Sequence, residues 1–321
     1  MGVRIGFGLP VAGTWATPEN IAGFARRAEE LGYESLWTFQ RLLVGADQEL
    51  DPVYRSVLDP LTALAFAAAH TSRIRLGVAV VNFPFVSPTY LAKQAATLDV
   101  LSGGRLDLGL GSGWSEVEFA ATGASPRQRG ARAEEYLAVL RTLWADEVSR
   151  FDGEFYTVPP SRMAPKPVQR PGPPVLLGGA AASALRRAGR VADGWISRSG
   201  HDLSSIAEDV ATVRRAAEEA GRDPGTVRII SRGVVRLDDQ VTGSPGAGGR
   251  RLLSGTLDLV REDARRLGEQ GVTELFYDLN WDPLVGNPAV EPAVATHRAD
   301  ELLEALAPAQ PESSRQPRSA G

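Results

Sequence analysis

Glycines 109, 111 and 113 close the stretch RLDLGLGSGW, directly after the alternating run Leu106, Asp107, Leu108. Glycine at a strand end lets a ligand approach the backbone, and a dinucleotide is the first ligand to weigh. That fingerprint, G-x-G-x-x-G opening a helix, would need its third glycine at position 114, where Trp114 stands. Residues 115–125 have weak periodicity and Pro126 follows, so no helix is predicted to open at once. A second glycine pair, Gly178-Gly179 followed by Ala180, lies between an apolar run and a helical one, where free N–H groups can face an anion. Ser199-Gly200-His201 ends another apolar run. Phe39-Gln40-Arg41 follows a third; its arginine cannot act as a base and its glutamine is no acid, but both can orient a carbonyl or an anion by hydrogen bonds.

Other chemistries are closed to this sequence. It has no cysteine, so disulfides, thiolate metal sites and a cysteine nucleophile drop out. His70, His201 and His297 form no ligand-spaced pair, and no metal is expected. Net charge is −4 with both signs mixed along the chain, which leaves no footprint for nucleic acid. No apolar run approaches the ~18 residues that span a bilayer. The opening MGVRIGFGLPVAG is too short and glycine-rich for a secretory signal. A cytoplasmic enzyme acting on a small molecule, with neither nucleic-acid nor membrane partners, is the expectation.

The elements that must position these residues alternate along the whole chain. Residues 4–10 predict a strand. Thr17, Pro18 and Glu19 then supply a cap, a proline at the first helical position and an early acid. Ile21, Phe24, Ala25, Ala28 and Leu31 keep helical spacing up to Gly32. Further strands are predicted at 35–40, 73–81, 106–113, 174–179, 194–199, 227–237 and 274–279. Helices fall between and after them at 59–70, 88–101, 126–144, 181–191, 203–220, 256–270 and 292–306. Eight strand-then-helix units argue for a (β/α)8 TIM barrel rather than a doubly wound sheet. Its 321 residues, 43% of them hydrophobic, suit one such domain over 1–307, with a disordered tail at 308–321 rich in Pro, Ser, Gln and Arg. Three insertions interrupt the alternation: 42–58 and 238–255 on the face of the barrel that carries chemistry, the latter expected to be mobile, and 148–173, where FDGEFYTV suggests a hairpin.

Three blocks carry a family resemblance: LAKQAATLDVLSGGRLDLGLGSGW at 91–114, PVLLGGAAASALRRAGRVADGWI at 174–196, and LGYESLW at 31–37. In this order the sequence resembles the luciferase-like superfamily of flavin and deazaflavin oxidoreductases, over roughly residues 3–280, and most resembles its actinobacterial coenzyme F420-dependent branch. The resemblance implies a luciferase-like barrel holding F420, or alternatively FMN, across the C-terminal strand ends. It implies a non-proline cis peptide at Ala79-Val80, and cofactor contacts from Thr38, Val78, Ala79, Val80 and Asn82. Gly111, Ser112 and Gly113 then sit beside the ring, while Gly178, Gly179, Ala180, Ser199, Gly200 and His201 hold the phosphate. A homodimer is expected, as relatives are often dimers.

The sequence also departs from the family. Where many relatives read Ser-Asp-His after strand two, it has Phe39-Gln40-Arg41, and Trp114 replaces the glutamate of the sugar-phosphate dehydrogenases. Oxidation of glucose 6-phosphate is therefore not expected. Gln40, Arg41 and Trp114 become the catalytic candidates, with Trp114 walling an apolar substrate pocket near Trp15 and Trp37. Phe39 is expected to pack, Glu116 and Glu118 to stand exposed, and Arg250 and Arg251 to form a solvated charge pair. The activity implied is hydride transfer to or from a small organic substrate, with reduction of an activated double bond as the expected direction; the alternative is a reduced-FMN monooxygenase.

Overall fold

The computed structural model describes residues 2–238, 245 and 250–309. The elements run β1 (Arg4–Gly8), α1 (Pro18–Leu31), β2 (Ser35–Thr38), α2 (Pro60–Ala68), β3 (Arg75–Asn82), α3 (Pro88–Ser102) and β4 (Leu106–Gly111). Next come α4 (Glu116–Thr122), α5 (Arg129–Ala145), β5 (Ser149–Asp152), β6 (Thr157–Ser161), β7 (Val175–Gly178), α6 (Ala182–Val191) and β8 (Gly194–Ile196). The chain finishes with α7 (Ile206–Glu219), β9 (Arg228–Val234), β10 (Arg236–Leu237), β11 (Ser254–Gly255), α8 (Leu257–Glu269), β12 (Glu274–Asp278) and α9 (Pro292–Ala305).

Eight strands close into a parallel barrel in the order β1-β12-β9-β8-β7-β4-β3-β2, so the (β/α)8 expectation holds. The seam joins the two ends of the chain, with Arg4 opposite Glu274 and Phe7 opposite Tyr277. Local sequence sets the helix starts. Thr17 Oγ1 accepts from Asn20 N at 3.2 Å, Asp59 Oδ1 from Thr62 N at 2.9 Å, and Ser87 Oγ from Tyr90 N at 3.2 Å, each before a proline at the first helical turn. The suggested hairpin forms from β5 and β6.

Two expectations need correction. A short helix, α4, does open just after the glycines: Ser115 caps it by accepting from Glu118 N at 3.4 Å. It has only seven residues, too few for periodicity to register. Because of it, α5 starts at Arg129 rather than at 126. Within the insertion at 238–255, residues 239–244 and 246–249 lie outside the described residues, as do 310–321 of the tail.

The bottom of the barrel is plugged by charge. Asp107 takes two hydrogen bonds from Arg75, at 2.8 and 2.6 Å, and further ones from Arg228, which also reaches Glu274 Oε2 at 3.0 Å. Burial raises the Asp107 carboxyl, but Arg75 and Arg228 outweigh it and hold the group below its usual range. Burial likewise pulls the Arg228 guanidinium down, and Asp107 with Glu274 reverses the sign. Above this layer Trp37 donates to Ser35 Oγ at 2.7 Å and stacks on Phe276 with ring centres 5.1 Å apart. The floor is thus fixed by paired charges, with Asp107 and Glu274 fully buried.

Candidate active site

The C-terminal strand ends surround a cleft of about 240 Å³. Its wall on the β3 side is made by an irregular stretch. The Ala79–Val80 peptide is cis, and the pairing of β3 with β4 slips between Val78 and Val81. Glycines of β4 make room for this bulge. A Cβ on Gly109 would overlap the Val78 carbonyl; one on Gly111 would overlap Val80 Cγ2 and come within 3.1 Å of Asn82 Oδ1. Here the glycines of RLDLGLGSGW are needed for protein backbone and side chains as much as for any ligand.

Two side-chain bridges fix the loops above the bulge. Gln40 Oε1 accepts from Asn82 N at 2.8 Å, and Asn82 Oδ1 accepts from Gly113 N at 3.1 Å. The ends of β2, β3 and β4 are thereby laced together. Gln40, Arg41, Ala79, Val80, Asn82, Gly111, Ser112, Gly113 and Trp114 all line the cleft, and Gly178, Gly179 and Ser199 line its other side. The structure brings these twelve candidates together. Thr38 and Val78 are buried within the barrel wall instead, Thr38 Oγ1 being 3.4 Å from the Pro60 carbonyl. Ala180, Gly200 and His201 do not line the cleft. His201 Nε2 lies 2.7 Å from Asp209 Oδ2, and the imidazole packs edge-on to Trp195 at 5.4 Å.

The aromatic surroundings differ from expectation. Trp15 is fully buried against Phe24 at 5.2 Å and Trp37 lies inside the barrel, so neither reaches the cleft. Phe39, Tyr54 and Trp281 take their place beside Trp114. Phe39 packs as expected, 4.7 Å from Trp281, and also faces the cleft. Glu118 is not an exposed loop carboxylate: it is 1% exposed, and its Oε1 accepts from Leu42 N at 2.7 Å. Its Oε2 lies 2.9 Å from Arg41 Nη1, an ion pair in which neither Nη1 nor Nε of Arg41 has an acceptor in hydrogen-bonding geometry. The Arg41 guanidinium is clamped between Tyr54, 4.7 Å away, and Trp114, 4.4 Å away. Arg250 does not form a solvated pair with Arg251; it is buried and bonded to both Asp263 oxygens. Arg251 stands at the cleft edge, donating to the Ser199 carbonyl at 3.2 Å. Burial lowers its pKa and nearby Arg236 lowers it further.

Arg198 and Arg232 line the cleft but had no signal in the sequence. Arg232 of β9 projects into the cleft floor, donates through Nε to Asp278 Oδ2 at 2.7 Å and through Nη1 to the Ala79 carbonyl at 3.1 Å. Asp278 in turn accepts from Asn280 Nδ2 at 2.9 Å, and Asn280 Oδ1 accepts from Ala12 N at 3.1 Å. A continuous chain of polar contacts therefore runs from the segment after β1, through Asn280 and the ends of β12 and β9, to the bulge.

The model of the luciferase-like monooxygenase family matches residues 3–241. The chain belongs to that family. It is 35% identical over 266 residues to an uncharacterized protein of Mycobacterium tuberculosis, covering 79% of this chain and 93% of that one. It is 30% identical over 214 residues to the F420-dependent glucose-6-phosphate dehydrogenase of Kineococcus radiotolerans, covering 65% of this chain and 61% of that one. To the FMNH2-dependent dimethylsulfone monooxygenase of Pseudomonas putida it is 32% identical over 200 residues, covering 61% and 53%. Relatives thus use a deazaflavin or a flavin, and this chain is a luciferase-like oxidoreductase or monooxygenase. Among the described residues no helix is long and apolar enough to cross a membrane.

Proposed function

We propose that the protein is a coenzyme F420-dependent oxidoreductase that reduces an activated double bond of a small organic substrate. The observation that carries this reading is a graded cleft. It has an apolar wall of Ala79, Val80 and Ile196, a glycine corner at Gly178 and Gly179 beside the N-terminus of α6, and cations beyond that corner. Each part fits one part of the coenzyme. The wall offers apolar surface to a planar ring. Helix α6 has no side-chain cap, which leaves its first N–H groups and positive dipole end for a phosphate. Arg198 lines the cleft on that side and Arg251 touches Ser199, so two guanidinium groups stand where an anionic tail would continue. FMN ends at its single phosphate and leaves those arginines unused.

When bound, the deazaflavin supplies a hydride and does not form a peroxide with oxygen. The protein positions and shields the reaction. Arg232 fixes the Ala79 carbonyl in the wall that would hold the ring, while Gln40 and Asn82 hold the loop ends. The buried rings of Phe39 and Trp281 exclude water from the substrate side. Glucose 6-phosphate is not the substrate on this reading, since no carboxylate or histidine is found among the cleft-lining residues. A homodimeric assembly is part of the same proposal and is checked by light scattering.

The test is a direct comparison of ligands. Purified protein is titrated with F420 and with FMN, following quenching of cofactor fluorescence, and then assayed with each in reduced form. Deazaflavin binding at least about tenfold tighter than FMN, which is about 1.4 kcal/mol, is expected. Tight FMN binding with no deazaflavin affinity, and oxygen uptake driven by reduced FMN, would establish the monooxygenase instead.

A further inference from the structure

Where β7 passes into α6, the chain leaves a run of backbone donors open at the corner of the cleft. Among the described residues, the N–H groups of Gly179, Ala180, Ala181, Ala182 and Ser183 find no acceptor, and α6 has no side-chain cap. Gly179 lines the cleft with a φ of 129°, which L side chains rarely adopt, and a Cβ there would lie 2.7 Å from Ala184 Cβ. A glycine peptide turns over easily, so this backbone could offer the cleft either a carbonyl or an N–H.

Trp195 of β8 decides between them. Its side chain is wholly buried, and Nε1 donates to the Gly179 carbonyl at 2.8 Å. The Gly179–Ala180 peptide is planar and trans, so the Ala180 N–H is directed away from the indole. A buried indole N–H without that acceptor would be costly, so ring and carbonyl hold one another in place. The ring is also held from behind. His201 packs edge-on to it with centres 5.4 Å apart, and His201 Nε2 lies 2.7 Å from Asp209 Oδ2 of α7. His201 N donates to the Arg198 carbonyl at 3.1 Å, and Arg198 lines the cleft beside Gly178 and Gly179. One packed unit thus ties the glycine corner to the cationic loop.

We propose that Trp195 is the positioning residue of this corner: by holding the Gly179 carbonyl it keeps the corner a set of N–H donors for the cofactor's phosphate. The proposal rests on the reading above that places the phosphate here, and it holds for either ring. Without the indole N–H, the carbonyl is released and its partial negative charge can turn towards the phosphate and repel it. Trp195 does not line the cleft; it acts through one peptide.

The test isolates the phosphate. Two pairs of ligands, each differing by phosphate alone, are titrated by fluorescence: the deazariboflavin core of F420 and its 5′-phosphate, and riboflavin and FMN. In at least one pair the native protein should favour the phosphorylated member by about tenfold or more, as for hydrogen bonds to a charged group. Replacing Trp195 by 3-benzothienylalanine keeps both rings and exchanges the N–H for sulfur. That protein should keep its fold in thermal unfolding and retain a preference of only about twofold or less, with affinity for the unphosphorylated member unchanged. Trp195→Phe should lose the preference too, at some cost in core packing. Equal weakening of both members by the benzothienyl replacement would make the indole core packing alone, and an undiminished preference would mean that the peptide needs no clamp. Each overturns the proposal. A native protein with no preference in either pair overturns the phosphate placement and the proposal together. Preference confined to the flavin pair overturns F420 as the cofactor, and Trp195 is then judged by the same ratio in that pair.

Discussion

Gly111→Ala probes the join between the glycine strand and the bulge. The added Cβ would overlap Val80 Cγ2 and press on Asn82 Oδ1, which already accepts from Gly113 N. Val80 is β-branched and cannot turn aside freely, and Asn82 cannot move without releasing that bond. Overpacking of this kind costs about 1–3 kcal/mol. At about 2–4 °C per kcal/mol, a cost of about 2 kcal/mol lowers Tm by about 4–8 °C. Val80→Ala alone removes half-buried methyl groups and should cost about 1 kcal/mol. In the double variant the new methyl at position 111 occupies space vacated by Val80, so the two changes should compensate. The double variant is expected to lie within about 1 kcal/mol of the native protein, a coupling of about 2 kcal/mol. Thermal unfolding of the four proteins measures the cycle, and deazaflavin titration reports whether the wall is restored. Additive losses would refute the idea that Val80 is what keeps position 111 a glycine.

Four further outcomes are expected. Asp107→Asn leaves Arg75 and Arg228 facing each other at the barrel floor and should cost about 3–5 kcal/mol in urea unfolding, with little change in cofactor affinity. The same carboxyl sets an acid limit. Its folded pKa is depressed, so its contribution is complete above the unfolded value near about 4 and is lost as pH falls through the lower folded value; the acid unfolding curve of Asp107→Asn should be shallower than that of the native protein. Arg198→Ser combined with Arg251→Ser should weaken deazaflavin binding about three- to tenfold and flatten its salt dependence. FMN binding should barely respond, and equal losses for both ligands would remove the tail from the argument. Arg232→Met should destabilise by stranding the Asp278 carboxylate, and adding Asp278→Asn should recover part of the stability but not the cofactor affinity.

The fold was largely legible because each βα unit carries its own punctuation. Thr17-Pro18, Asp59-Pro60 and Ser87-Pro88 mark helix starts locally, and apolar spacing does the rest. The glycine-rich ends of β4 and β7 could be placed at the cleft for the same reason. What stayed hidden depends on contacts between distant segments. Glu118 reads as a surface acid until α4 turns it towards the backbone of Leu42 and the side chain of Arg41. Arg232 sits in the apolar run RIISRGV, where nothing local indicates a partner 46 residues away in Asp278. Trp15 and Trp37 carry the composition of a pocket wall, but side-chain alternation along the strands sends Trp37 inwards, and Trp15 goes under α1.

The seam between β1 and β12 makes the cleft a late product of synthesis. Arg232, Trp281 and the Asn280 side chain that grips Ala12 all belong to the last third of the sequence, and the first strand has no partner on one side until Glu274–Asp278 has emerged. Until that seam closes, the chain exposes two open sheet edges and has no finished place for a coenzyme. Loading must follow closure of the seam, and the interval before it is when the chain is most open to chaperones and to mispairing with its neighbours.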